Sequence, residues 1–488
     1  MQNERLKHLI ALFALVLFTS CNYTEEPDRL FSGEDSALKE SQDIMDDNQR
    51  YLADVKVGEE EIFRLAGILG QSELIGKKSA SRAKDFIVAK LSNNRVNVPI
   101  YVVNYAEEGG FVLLSGTKTY HPVLAYSDHG HYDADEEKPG GLKIWEDESF
   151  AAMKRSESQP IETLKKFQVM WANLESLLKG ESSKGKAKKI QTGVNDFDPG
   201  VAWMNQVDAW LMAGYVVYPI TQAEITGNSA IDERFRYSAQ QSIYPLYEED
   251  WENYSAVVMK PYNNVQFKDN LISTNWYQYS SFNDSCFTSS GQQALVGCGP
   301  VAIGQVMRYF QYPSSYNWSN MPNNYSTPTT AQFLHDVGVT ANVSYGVNAT
   351  SMALNKVIPT LQNYGYVANQ GSHSYERTKG CLALNRPVIL SGILHNQDGT
   401  SQGHLWIASG YRQTNTHVSY EVYTINNSTT IGVVDSYDTY FTETKYLYMN
   451  WGWGYQYNAW YLDNSLYVSD LVSSVTGRKS FYDIHPNN

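Results

Sequence analysis

The chain has 488 residues, 42% hydrophobic and 18% charged, so it is long enough for two or three folding units and apolar enough to bury real cores. A formal net charge of −14 argues against nucleic acid as a main partner, because phosphate binding needs a basic surface. Only four cysteines occur, too few for a disulfide framework. No His/Cys/carboxylate cluster has metal-ligand spacing, so neither a metal nor another cofactor is expected.

The first 21 residues read as a targeting segment. Arg5 and Lys7 form a basic start, and Leu9 to Phe18 is an apolar run too short to span a bilayer. Thr19-Ser20-Cys21 then closes the run with small residues before a cysteine. This is similar to a bacterial lipoprotein signal, which is cleaved before the cysteine and acylated on its sulfur; an ordinary signal peptide with a chance cysteine is the alternative. The expectation is an exported envelope protein, at the outer membrane or cell surface, held to the membrane by a lipid on Cys21 and a polar tether over residues 22–44. With Cys21 assigned, Cys286, Cys298 and Cys381 remain. The odd number leaves one thiol available as a nucleophile. Cys286 and Cys381 are either a disulfide or two buried thiols.

Beyond the tether, Glu59 to Leu69 has helical spacing. Gly76-Lys77-Lys78 is not a phosphate-binding loop, since Gly70 is one residue too far upstream and Lys78 stands where Ser or Thr is needed. Val98 to Tyr105 and Phe111 to Ser115 read as a hairpin, and Pro122 to Tyr126 as a third strand. Residues 45–150 are thus predicted to form a small α+β domain without catalytic equipment, and His121 within it is expected to be structural. Glu162 to Leu178 carries Leu164, Phe167, Trp171, Leu174 and Leu178 on one helical stripe. Lys179 to Lys189 reads as an exposed basic linker and a place for proteolytic nicking. The rest of 151–259 is rich in aromatic residues and shows no motif.

The chemistry lies in residues 260–488. In Gly297-Cys298-Gly299-Pro300-Val301-Ala302-Ile303-Gly304-Gln305-Val306-Met307-Arg308-Tyr309-Phe310 the apolar positions are helically spaced, and Pro300 is tolerated only in the first turn. That puts Cys298 at or just before a helix N-terminus, where the helix dipole favours thiolate over thiol. A cysteine nucleophile needs a base, and the base needs an orienting group. His404 opens the strand-like Leu405-Trp406-Ile407-Ala408, whereas His395 sits beside a turn, so His404 is the predicted base. Tyr446 to Met449 runs as a strand into Asn450-Trp451-Gly452-Trp453-Gly454. There Asn450 would accept from the far imidazole nitrogen and Trp451 would shield that bond. Gln278, with the N–H of Cys298, would serve a developing oxyanion.

These segments, in the order Gln278, Cys298, His404, Asn450-Trp451, resemble the streptopain family of papain-clan cysteine peptidases. The motif Asn450 to Gly454 recurs intact, and Gln278 to Asn283 matches in part. Ile100 to Asn104, Gly110 to Ser115 and Pro122 to Tyr126 look like that family's inhibitory pro-domain. The resemblance implies a papain-like α+β catalytic domain behind a small α+β pro-domain. It also implies a zymogen that acts on protein or peptide substrates, with its own pro-domain as intramolecular inhibitor. Gly403 and, through the loop Tyr345 to Ser351, Ser351 are the substrate contacts it implies. Two departures stand out: Gly299-Pro300 in the first helical turn, and a long interval between His404 and Asn450, with Arg412 to Thr442 read as an inserted hairpin at the edge of the site. Two other readings are a papain-like hydrolase of the bacteriocin-leader peptidase type and a surface binding or inhibitory protein on an inactive peptidase scaffold.

Overall fold

The computed structural model describes residues 55–72, 85–106, 108–159, single positions between 164 and 210, 216–219, 255–396, 398–425, 431–463 and 475–487. The predicted signal and tether (1–44) and the basic linker (179–189) lie outside these residues. Helix α1 (Glu59–Leu69) buries Ile62, Leu65, Ala66 and Leu69 and sets three glutamates in its first turn, where the helix dipole favours negative charge. Strands β1 (Phe86–Asn93), β2 (Val96–Tyr105), β3 (Phe111–Ser115) and β4 (Val123–Ser127) follow as an antiparallel meander. β3 and β4 are buried along their whole length, which is why they read as continuous apolar runs. β1 is the edge of the sheet, with only Leu91 buried, and despite its apolar run Phe86-Ile87-Val88-Ala89 it was not predicted.

Helix α2 (Gly140–Ser156) corrects the expected end of the small domain at 150, which falls inside it. It packs on β2 of its own half and on strands of the second half. Leu164, Phe167 and Trp171 of the predicted stripe are helical and buried. His121 is half-buried between Tyr120 and Phe167, ring edge to ring face, and desolvation pushes its imidazole down to about 3. It is a structural side chain.

The second half holds α3 (Cys298–Phe310), α4 (Pro328–Thr340), α5 (Val357–Asn363) and α6 (Tyr375–Ala383). Its strands include β5 (Val216–Pro219), β6 (Ser255–Lys268), β7 (Tyr366–Ser372), β8 (Val388–His395) and β9 (Ser401–Ile425). β10 (Ile431–Asn450), β11 (Ala459–Leu462) and β12 (Val475–Pro486) complete them. A single sheet runs β1-β2-β3-β4-β11-β10-β9-β8-β12-β7, with β6 pairing β9 and β5 pairing β6. The two halves therefore meet strand to strand: Tyr126 of β4 faces Trp460 of β11, and Ala125 faces Tyr461. β5 and β6 fall in or next to the stretch that carried no motif, and β6 crosses the boundary expected at 259–260.

Residues 412–425 and 431–442 form the hairpin read from the sequence. They continue β9 and β10, the strands that carry His404 and Asn450, outward in register, with Tyr437 opposite Tyr420. Alternation along β9 sorts its side chains between two layers. Leu405 and Ile407 join the apolar core around α3 and α4, while His404 and Trp406 face α2.

Candidate active site

Cys298 is the first residue of α3, and Gly297 before it holds φ +91°, a left-handed conformation that suits glycine. A side chain at 297 would also meet Thr350, since its Cβ would lie 2.9 Å from Thr350 Cγ2. The turn therefore delivers the cysteine to the helix start, where backbone N–H groups have no intrahelical acceptor. The N–H of Leu405 donates to Cys298 Sγ at 3.4 Å. Cys298 is partly exposed, whereas Cys286 and Cys381 are buried free thiols, which settles the disulfide alternative.

His404 sits across from the sulfur and is buried. Its Nε2 lies 3.2 Å from the Trp451 carbonyl oxygen, which leaves Nδ1 as the nitrogen available to the thiol. The ring lies nearly parallel to Trp406 (centroids 6.4 Å apart, 23°), and Trp406 in turn packs on Trp451 (5.5 Å). Burial alone pushes the Cys298 thiol up. The His404 charge, the hydrogen bond with His404 and the N–H groups of Leu405 and Gly299 outweigh it and hold the thiol below its ordinary value. Burial likewise pushes His404 down, but the facing sulfur and the Trp451 carbonyl raise it above its ordinary value. Both shifts favour the same state, thiolate beside imidazolium.

The other predicted residues surround this pair. Asn450 does not take the orienting role expected of it, because the Trp451 carbonyl stands at the far imidazole nitrogen. The Asn450 side chain instead accepts from Gly452 N (3.0 Å) and Gln305 Nε2 (3.2 Å) and donates to the Thr274 carbonyl (2.8 Å). It shapes the turn that presents the carbonyl. Trp451 is buried, and its Nε1 donates to the Tyr457 carbonyl at 2.9 Å. Gln278 is buried, and its carbonyl accepts from Val296 N, two residues before the cysteine, at 3.1 Å. Ser351 pairs with Ser344 across a small loop, and the neighbouring Thr350 ties that loop to the cysteine segment by donating to Leu295 O at 2.6 Å. Gly403 is exposed at the start of β9, opposite Ile393 of β8.

A further element reaches the pair. The N-terminus of α2 lies against His404 so closely that a Cβ on Gly141 would sit 2.7 Å from His404 Cδ2, 2.9 Å from Trp451 Cε3 and 3.1 Å from Trp406 Cε3. Only a residue without a side chain fits there. One helical turn on, Ile144 covers Gly392 of β8. Next, Glu148 pairs with Arg478 of β12 at 3.1 Å, and the guanidinium lies over the Trp406 ring at 5.0 Å. Upstream, Glu136 accepts from the Tyr457 hydroxyl at 2.9 Å. Segment 136–148 thus crosses the second half directly over the imidazole.

The Cys298–His404 pair thus joins a helix start and a strand start beneath the N-terminal half. Residues 276–317 and 314–461 match the model of the Peptidase C10 family, and residues 72–152 match that of the Spi protease inhibitor family. Residues 276–461 are thus similar to the Peptidase C10 family. Thiol protease/hemagglutinin PrtT of Porphyromonas gingivalis is 21% identical over 387 residues, 70% of this chain and 34% of that protein. Streptopain of Streptococcus pyogenes is 24% identical over 169 residues, 25% of this chain and 41% of that protein. The chain therefore spans well under half the length of these relatives. A fragment of Prevotella intermedia prointerpain A aligns over 81% of this chain and 98% of its own length, with 14% identity and a TM-score of 0.40.

Two of three features of the site and its covering segment carried little sequence signal. The Trp451 carbonyl is a backbone group and leaves no residue-type signal. The Gly140-Gly141 helix start went unread, because a helix that opens on two glycines after Pro139 lacks the usual capping residue. Gln305 did carry a signal. It lies seven residues after Cys298, so nearly on the same side of α3, and it is polar yet wholly buried.

Proposed function

We propose that the chain is the zymogen of an exported cysteine endopeptidase and that its small N-terminal domain holds the active site closed. The observation that carries this is the opposed displacement of the Cys298 and His404 titrations beneath an α2 whose Gly141 rests on the imidazole. Cys298 Sγ attacks the peptide carbonyl as thiolate, and His404 gives its proton to the departing amine. In the second half-reaction His404 takes a proton from the attacking water. The N–H of Cys298 and the Gln278 amide serve the oxyanion, and Gly403 and Ser351 contact the substrate backbone. Asn450 supports the turn that holds His404. The signal ending at Cys21 supports export and a lipid anchor in the cell envelope.

The test is casein hydrolysis by the refolded precursor before and after limited trypsin treatment, beside Cys298→Ala. Activity that appears on nicking and is absent from the variant supports the reading. A nicked wild-type protein that cleaves neither casein nor a mixed peptide library overturns it.

A further inference from the structure

Gln305 lies on α3 with its side chain fully buried, and every polar atom it carries is engaged at one junction. Its Nε2 donates to Asn450 Oδ1 at 3.2 Å while Asn450 Nδ2 donates back to its Oε1 at 3.3 Å, a reciprocal pair of amides. The same Oε1 accepts from the backbone N–H of Trp276 at 3.2 Å, two residues before Gln278. Asn450 Oδ1 also accepts from Gly452 N at 3.0 Å, which pins both ends of the turn whose middle residue, Trp451, presents its carbonyl to His404 Nε2. One side chain on the nucleophile's own helix thus fixes the histidine-holding turn and the irregular segment that carries Gln278. From these contacts we infer that Gln305 is a positioning residue, which locks the Trp451 carbonyl, and through it the His404 ring, in register with Cys298.

The physical case rests on burial. A buried amide pair is rigid because any departure leaves donors and acceptors unsatisfied where water cannot replace them. Besides the hydrogen bond with Cys298, the Trp451 carbonyl is the polar partner that defines the imidazole's rotation, and the ring otherwise packs on Trp406 and α2. Without the lock, the Trp451 carbonyl is free to drift. The His404 tautomer that keeps Nδ1 toward sulfur then loses its preference, and the imidazolium loses the partner that helps raise its titration. Gln305 touches neither substrate nor sulfur, so binding is largely spared while the chemical step slows.

The inference rests on the proposed Cys298–His404 pair, and the experiment separates the two. The readout is the rate of Cys298 alkylation by iodoacetamide against pH in the full-length precursor, followed by peptide mapping; Cys286 and Cys381 are buried and serve as internal controls. Wild type is expected to alkylate with a midpoint below the ordinary thiol value of about 8.5. Gln305→Leu is expected to move that midpoint toward the ordinary value and, after nicking, to lower kcat on the order of 10- to 100-fold while KM stays within about threefold. Asn450→Ala is expected to do the same, and the double variant to be no worse than the single ones, as for groups acting as a unit.

Gln305→Glu covers the case in which Gln305→Leu fails to fold. Burial raises a carboxyl's titration, and the protonated acid can still donate to Asn450 Oδ1, whereas the carboxylate repels it. This variant should resemble wild type at low pH and lose thiolate reactivity as pH rises, a limb that a merely structural residue would not create. An unshifted wild-type midpoint overturns both the pair and the lock. A depressed wild-type midpoint left unchanged by folded Gln305→Leu and Gln305→Glu overturns the lock alone.

Discussion

At the scale of single residues, the site works by opposing two costs of burial. Desolvation raises a thiol and lowers an imidazole, and it dominates at Cys286 and His121 in this same chain, which stand at about 11 and about 3. Facing each other, Cys298 and His404 reverse both directions, because each charged form solvates the other in place of water. The consequence is a window. With the thiol depressed and the imidazole raised, the reactive ion pair forms as pH rises through the lower titration and is lost as pH rises through the upper one. The kcat/KM of the nicked enzyme on a peptide substrate is expected to follow that bell. His404→Ala should remove its alkaline limb and lower kcat about 10²- to 10⁴-fold, the usual contribution of a positioned acid–base group. An unaltered profile in His404→Ala would remove the histidine from the mechanism. Both residues were legible in the sequence, because a helix start and a strand start are local signals. Their orienting carbonyl was not, because a backbone oxygen has no letter of its own and the neighbouring Asn450 side chain was the visible candidate.

At the scale of elements, periodicity found those that bury a whole face and missed those defined by what they touch. α1, β3, β4 and α3 follow their apolar patterns closely, and the long β9–β10 hairpin was visible as extra length between His404 and Asn450. β1 is an edge strand with few buried residues, and α2 opens on Pro139-Gly140-Gly141, a sequence that reads as a loop until Trp145, Phe150 and Met153 show their burial. The two glycines make sense only against a distant partner, since their bare backbone is what lets α2 rest on His404, Trp406 and Trp451. Gly141→Val is therefore expected to lift the start of α2 off the imidazole. The branched side chain would overlap buried rings that have nowhere to move. The un-nicked precursor should then hydrolyse casein measurably, at least about tenfold above wild-type precursor, while the fully nicked enzymes match, because α2 no longer matters once released. Equal latency in variant and wild type would show that closure depends on some other contact.

At the scale of the whole molecule, the N-terminal and C-terminal halves share one continuous sheet, and in the proposed zymogen they part on activation. The β4–β11 junction is short, with Tyr126 opposite Trp460 and Ala125 opposite Tyr461, so much of the hold falls on α2 and its contacts with β8, β9 and β12. Glu148 is the charged group at the centre of that contact. It is buried against Arg478, with Asp463, Asp147 and Arg155 also acting on it. Burial dominates and raises its carboxyl to about 7, even with the guanidinium beside it. A carboxyl released into water returns to about 4.3, so separation of the domains sheds a proton between these two values. The sign follows. The raised titration strengthens the closed state fully below the released value, and that contribution fades as pH climbs through about 7. Closure should therefore loosen by up to about tenfold per pH unit across that range, one proton's worth, and level off above it. In nicked protein whose two parts are still associated, the dilution needed to unmask casein hydrolysis should fall as pH rises from 5.5 to about 7.5. Glu148→Gln, which keeps the shape and cannot ionise, should flatten that dependence while leaving nicked, fully separated enzyme unchanged. If wild type and Glu148→Gln show the same slope, the proton is taken up elsewhere, and Glu148 serves the interface only as a packed side chain over Arg478.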